Sequence, residues 1–319
     1  YNLGRIYGIE EDFKNSKTFL VRALKINPEY SKAHLLLANA YERFQKFDDA
    51  KKHFSLSIQF FKENALAHFR LGVRLYLEGE FSESEKHLKA SISIEAQNAE
   101  ANFYLAMILR SDADPSLAKK HFFKALEINP EYAIAYYELG HHSEKNGELN
   151  EAKIHFQKAS DIDQNFVDAY FHLARILKNP SEYDQALRNY ETALEINPEK
   201  EECHYWFAKL LSGGKRLKND GTLVVEPDLK RAENHFRKAI RLNSRYDKAF
   251  FKLGILLQEE KKFIESFENL EMAIQINPKF AEAHYHLAVL LMDEEAQGVL
   301  SEKKHDNSST EQLKTRENT

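Results

Sequence analysis

Apolar side chains recur three and four positions apart along this chain, in stretch after stretch, with charged residues filling the intervening faces. That spacing predicts amphipathic helices, and the alternating pattern of a half-buried strand is confined to one short run. The stretches are also periodic. Segments beginning at Ser31, Ala65, Ala99, Ala133, Val167 and Glu201 follow one another every 34 residues, and the register returns at Asp247 and Ala281. Each opens with a helix carrying a Leu-small pair or a close variant: Leu37-Ala38, Leu71-Gly72, Leu105-Ala106, Leu139-Gly140, Leu173-Ala174, Phe207-Ala208, Leu253-Gly254 and Leu287-Ala288. A second helix carries a small residue and, four places on, a large one: Ala50/Phe54, Ser84/Leu88, Ala118/Phe122, Ala152/Phe156, Ala186/Tyr190, Ala232/Phe236 and Ser266/Leu270. Small residues let two antiparallel helices approach, and the large side chain fills the space beside them. Pro28, Pro130, Pro198 and Pro278 close units, because proline lacks an N–H and disfavours helix in the residue before it.

These residues resemble the tetratricopeptide repeat, whose pattern runs Trp-x2-Leu-Gly-x2-Tyr, Ala-x3-Phe, Pro. The resemblance covers roughly nine-tenths of the chain. The leading Trp is replaced by His34, His68, Asn102, Tyr136, Tyr170, His204, Phe250 and His284, and the Tyr survives at Tyr7 and Tyr41. The family's fold implies an all-α, right-handed α-solenoid of about eight to nine helix-turn-helix units over 1–297. A truncated unit is expected at 1–30, a loop insertion at 212–228, and a disordered polar tail at 298–319, with the last convincing helix ending near Gln297. Leu3, Gly4, Tyr7, Ser16, Leu20, Ala23 and Pro28 fit a repeat lacking its first four residues, so the expectation is a fragment of a longer protein. In the insertion, Asp220-Gly221 between Arg216-Leu217 and Thr222-Val225 predicts a short two-stranded flap.

Composition narrows the chemistry. Charged residues make up 30% and the formal net charge is only -5, which gives no footprint of a nucleic-acid binder. The single cysteine, Cys203, excludes an intramolecular disulfide and a cysteine zinc site, and fits a reducing, cytoplasmic setting. A targeting segment upstream of Tyr1 is left open, and no apolar run approaches the roughly 20 residues that span a bilayer. His53, His87, His121, His155 and His235 recur at one place on the second helix, with Asn189 and Asn269 completing the series. Successive members lie about two helix diameters apart, too far to share an ion, so the row reads as solvated or half-buried. Gly213-Gly214-Lys215 lacks the spacing of a phosphate loop. No catalytic constellation, metal site or cofactor is expected.

In tetratricopeptide-repeat proteins the first helix of each pair lines a concave inner wall. Carried to this sequence, that geometry places Phe69, Phe103, Tyr137, Phe171 and Tyr205 on the wall with Leu66, Val73, Tyr76, Met107 and Arg110. The aromatic series reads either as inter-repeat packing or as a rail for a peptide. Further along, Arg175, Lys178 and Lys209 turn the wall basic. The expected partner is a protein segment with an apolar stretch and an acidic flank, with Lys215, Arg216 and Lys218 of the insertion as a second contact. The family's carboxylate-clamping mode is not expected, since only Asn39 remains of its pattern. The expected function is a non-catalytic protein–protein interaction scaffold. The alternatives are the substrate-recognition region of a larger enzyme, and self-association through the array ends.

Overall fold

The computed structural model describes residues 1–111, 114–217 and 222–301, with side chains at 111, 216 and 217 left aside. The chain divides into two compact units, residues 1–162 and residues from 163 onward. The first unit is a stack of five helical hairpins: α1 (Asn2–Ile9) with α2 (Phe13–Ile26), α3 (Ser31–Arg43) with α4 (Phe47–Phe60), α5 (Ala65–Leu77) with α6 (Phe81–Ile94), α7 (Ala99–Ser111) with α8 (Pro115–Ile128), and α9 (Ala133–Lys145) with α10 (Leu149–Ile162). The second unit pairs α11 (Val167–Ile176) with α12 (Tyr183–Ile196), α13 (Glu201–Gly213) with α14 (Leu229–Leu242), and α15 (Asp247–Glu259) with α16 (Phe263–Ile276), and ends in α17 (Ala281–Met292). Each hairpin packs on the next within its unit, so both units are α-solenoid segments.

Two interchangeable packing triads hold the hairpins closed. In one, alanine on the first helix meets alanine and an aromatic on the second: Ala38/Ala50/Phe54, Ala106/Ala118/Phe122, Ala174/Ala186/Tyr190 and Ala208/Ala232/Phe236, all buried. In the other, glycine meets serine and leucine: Gly4/Ser16/Leu20, Gly72/Ser84/Leu88 and Gly254/Ser266/Leu270. A Cβ at Gly72 would sit 2.9 Å from Leu88 Cγ, and one at Gly254 would sit 2.8 Å from Leu270 Cγ. Each serine hydroxyl donates to the glycine carbonyl opposite, at 2.7 Å for Ser16, 2.6 Å for Ser84 and 2.8 Å for Ser266. The two helices therefore touch backbone to side chain where the triad contains glycine.

Hairpins join through a second periodic device. Asn27, Asn129, Asn197 and Asn277 end the second helices in extended conformation, and each side chain accepts from the N–H two residues on. The proline that follows cannot extend the helix. At such junctions an aromatic stands at the N-cap position of the next first helix and packs, tilted, on a ring of the preceding hairpin. The ring centroids lie 4.7 Å apart in Tyr1–Tyr30, 5.1 Å in Phe103–Tyr132, 5.0 Å in Tyr205–Tyr246 and 4.7 Å in Phe251–Phe280. Aromatics expected on an open wall are thus inside these joints. Phe69, Phe103, Phe171 and Tyr205 are 1–5% exposed, so their rings are packing and cannot serve as a peptide rail.

The insertion forms the expected ribbon, β1 (Lys215–Leu217) antiparallel to β2 (Leu223–Val225), with Arg216 opposite Val224. The expected turn at Asp220-Gly221 and the contact residue Lys218 lie outside the described residues. Gly214 begins the ribbon at φ +55°, and a Cβ there would meet the Glu226 carbonyl carbon at 2.4 Å. β1 packs on α12 and on the 3-10 turn Pro180–Glu182 that precedes it. At the C-terminal end α17 stops at Met292, short of Gln297, and the chain is helical again over 294–301. Residues 298–301 are therefore not tail, and 302–319 lie outside the described residues. No helix among the described residues is long and apolar enough to cross a membrane.

Two substitutions test this packing by urea denaturation. Gly72→Ala gains helix propensity of about 1 kcal/mol, but forces the new methyl into Leu88 at a cost of about 1–3 kcal/mol. A lowered midpoint is expected, and an unchanged or raised one would show that α5 and α6 can part freely. Phe103→Ala removes a ring locked between hairpins and should cost about 3–5 kcal/mol, which a surface rail residue would not.

Candidate functional site

With Phe69, Phe103, Phe171 and Tyr205 buried, the second unit's first helices present a group of cations. In the second unit, α11 and the residues after it carry Arg175 and Lys178, α13 carries Lys209, and α15 carries Lys248 and Lys252. Lys178, Lys209, Lys248 and Lys252 have no carboxylate within ion-pair distance among the described residues. They lie close enough to act on one another. Partial burial, then the charges of Lys252, Lys178 and Lys248, hold the Lys209 ammonium below the usual lysine range. Two of them rest on rings, with Lys209 Nζ 4.5 Å from the Trp206 centroid and Lys252 Nζ 5.2 Å from that of Phe251. Such stacking fixes the cations without neutralising them.

Several other basic residues of the unit are ion-paired. Lys200 is bound to Asp168 at 2.7 Å, Arg231 to Glu191 at 2.7 Å, Lys262 to Glu233 at 2.9 Å, and Arg237 to Glu233 and Glu265. Arg175 and Lys209 lie on neighbouring first helices, where the sequence placed them. Lys248, Lys252 and Trp206 were not singled out there, because each looks ordinary until the hairpins stack. In the ribbon, Lys215 is exposed.

In the first unit the expected apolar wall is only partly open. Leu66 is exposed, while Val73, Tyr76 and Met107 are half-buried against the core around Phe103. Arg110 is committed to an ion pair with buried Glu138, whose carboxyl is raised by burial and pulled back by the guanidinium. Tyr137 shares a hydrogen bond of 2.9 Å with His141 Nε2. An open cleft lies nearer the start of the chain. It is lined by Arg5, Ile9, Phe13, Asn39, Glu42, Arg43 and Arg70 among others. Asn39 Oδ1 is buried there without a hydrogen-bond partner. Arg43 lies 5.3 Å from the Phe13 ring and Arg70 lies 5.7 Å from Phe69. Glu42 is raised by burial, with Arg70, Arg74 and Arg43 opposing.

Six of the histidines form three pairs. His34 Nδ1 lies 2.8 Å from His53 Nδ1, His68 Nδ1 lies 3.0 Å from His87 Nδ1, and His204 Nδ1 lies 2.8 Å from His235 Nδ1. The row read from the sequence is therefore half of a ladder whose other half stands on the first helices. Cys203 is buried, and burial pushes its thiol up to about 12 against the lowering effect of Lys200, which removes it as a nucleophile.

A model of the tetratricopeptide repeat matches residues 1–30, 133–166 and 167–200. Comparison with curated proteins finds no match. Among solved structures, YrrB, described as a TPR protein with an unusual peptide-binding site, is 24% identical over 62% of this chain and 96% of its own, with a TM-score of 0.51. PilF of Pseudomonas aeruginosa is 17% identical over 71% and 98%, with a TM-score of 0.58. The C-terminal part of a TPR repeat-containing protein from Cytophaga hutchinsonii is 16% identical over 78% and 98%, with a TM-score of 0.59. These likenesses establish the fold. Together with the 34-residue period, the small-residue triads and the stacked hairpins, they make the chain a tetratricopeptide-repeat protein.

Proposed function

We propose that the protein is a non-catalytic scaffold that binds a segment of a partner protein along its first helices, with carboxylates of that segment seated on the second unit's lysines. The observation that carries this reading is the group of Lys178, Lys248 and Lys252 gathered around Lys209, with no carboxylate within ion-pair distance of any of the four among the described residues. Gathering like charges costs stability, and an acidic ligand offsets that cost on binding. Trp206 and the stems of the stacked lysines supply apolar contact beside the charges, in keeping with a partner that is apolar with an acidic flank. In this reading Leu66, Val73, Tyr76 and Met107 give the first unit its apolar contact, and exposed Lys215 of the ribbon is a second point of attachment. The peptide-binding site named for YrrB lends the reading a precedent in the same fold. A cytoplasmic setting fits the single, buried cysteine.

The test is fluorescence anisotropy with labelled peptides that combine aromatic and aliphatic residues with a Glu/Asp run, set against versions carrying Gln/Asn. Acidic peptides should bind, and binding should weaken as salt rises, since exposed charges are screened. Lys209→Glu/Lys252→Glu should cut affinity about tenfold or more while the helical signal stays unchanged. Equal affinity for the Gln/Asn peptides, or indifference to the charge reversal, would remove the lysine group from the function.

A further inference from the structure

The paired histidines have a fixed polarity. His34 Nε2 lies 2.8 Å from the Pro28 carbonyl oxygen, His204 Nε2 lies 3.0 Å from that of Pro198, and His68 Nε2 lies 3.2 Å from that of Lys62. A carbonyl only accepts, so each of these nitrogens carries a hydrogen and donates. The Nδ1 of each first-helix ring, when neutral, is then an acceptor, and the second-helix ring donates its Nδ1–H. One added proton is accommodated: the first-helix ring becomes an imidazolium donating from Nδ1, and its partner switches tautomer to accept. A second proton leaves two N–H groups facing each other across about 3 Å, with no acceptor between them.

The fold contains its own control. In the hairpin of α7 and α8, Asn102 occupies the first-helix position, its Oδ1 accepting from His121 Nδ1 at 3.0 Å and its Nδ2 donating to the Asn98 carbonyl. His121 can take up a proton on Nε2 and keep the same donor, so its hydrogen bond survives protonation, and only burial and then Lys89 oppose the charge.

We propose that His34/His53, His68/His87 and His204/His235 form acid-sensitive latches, each of which accepts one proton with its hairpin closed and opens it on the second. Their surroundings oppose the second charge. His53 is pushed down to about 4 by burial, then by His34 and Lys52, with Asp49 opposing. Lys25 of α2 and Tyr41 of α3 line the same cleft as this pair. His87 is lowered by burial, then by His68, with Glu83 raising and Lys86 lowering it. His235 is pushed down to about 4 by burial, His204 and Arg231, with Asp228 opposing. His204 is lowered by burial, Lys238 and Arg241 against the Pro198 hydrogen bond. The sign follows from linkage. The unfolded or opened hairpin protonates both rings near the ordinary value of about 6.5, so it binds more protons than the closed one as pH falls. Closure is therefore fully favoured above about pH 6.5 and is lost as pH falls below it, by about tenfold per pH unit for each proton refused.

Native-state amide exchange, corrected for intrinsic rates, reads this hairpin by hairpin from about pH 7 to about pH 4.5. Protection should fall more steeply in α3–α4, α5–α6 and α13–α14 than in α7–α8. The variant His34→Asn/His68→Asn/His204→Asn copies the natural Asn102 arrangement, and its three hairpins should then follow α7–α8. Uniform loss across all hairpins, or an unchanged pH profile in the Asn variant, would overturn the proposal. Nitrogen-15 NMR of the wild-type imidazoles gives a test that does not need the variant to fold. One ring of each pair should titrate well below the other, and all six rings titrating together near the ordinary value would equally refute it.

Discussion

The distance between the two helices of a hairpin is the constraint on which the rest of this structure depends. It is set by a volume exchanged across the pair. Where the first helix offers alanine, the second answers with alanine and a Phe or Tyr ring. Where it offers glycine, the answer is usually serine and leucine, with the hydroxyl tied to the glycine carbonyl. Gly140 is the mixed case: it faces Ala152 and Phe156, and the ring moves into the space a methyl would fill, so that a Cβ would meet Phe156 Cδ1 at 2.7 Å. Interiors packed to crystal-like density tolerate such exchanges only when total volume is kept. The histidine pairs are a consequence. Rings on facing helices can meet Nδ1 to Nδ1 at about 3 Å only if the backbones beneath them are held that close.

This is also why the fold was legible and much of the site was not. The helix starts could be read directly, since Ser31, Ala65, Ala99, Ala133, Val167, Glu201, Asp247 and Ala281 all begin helices. Small-residue pairs and terminal prolines act within one unit, so their meaning survives in a single stretch of sequence. The aromatics were visible, but their role was undecided, because Tyr132, Tyr246 and Phe280, which pack on Phe103, Tyr205 and Phe251, stand far along the chain at the N-cap of the next first helix. The histidine ladder was half seen because its partners, too, are distant in sequence. His34 and His53 stand 19 residues apart, and His204 and His235 stand 31 apart because the ribbon intervenes, so no short-range pattern joins them. At the C-terminal end, a polar sequence without period hid the break at Asp293 and the helical residues 298–301.

Charge divides along similar lines. Many basic residues answer a carboxylate on an adjoining hairpin of the same unit, as Lys51 does with Glu78, Lys119 with Glu151 and Lys261 with Glu295. Exposed pairs of this kind add little stability individually. Their value here is diagnostic, since they show how readily this sequence supplies counter-ions where hairpins adjoin. The four lysines on and beside the first helices α11, α13 and α15 have no such partner among the described residues, and they are set apart by their gathering around Lys209. A gathering of like charge on an accessible face is where binding is sought first.

The latch and the lysine group meet in one hairpin. His204 and Lys209 stand on the same helix, α13, with Trp206 between them, and His235 holds that helix to α14. Acid acts on this hairpin from two sides. It adds a second proton to the pair that fixes α13, and over the same range it neutralises the carboxylates of an acidic partner, which titrate near pH 4. Once the ligand's charge has gone, nothing offsets the crowding of cations around Lys209. Loss of the ligand and loosening of the helix that presents Lys209 thus favour each other. A ligand bound to the closed hairpin must in turn delay its opening, because linkage between the two equilibria is reciprocal.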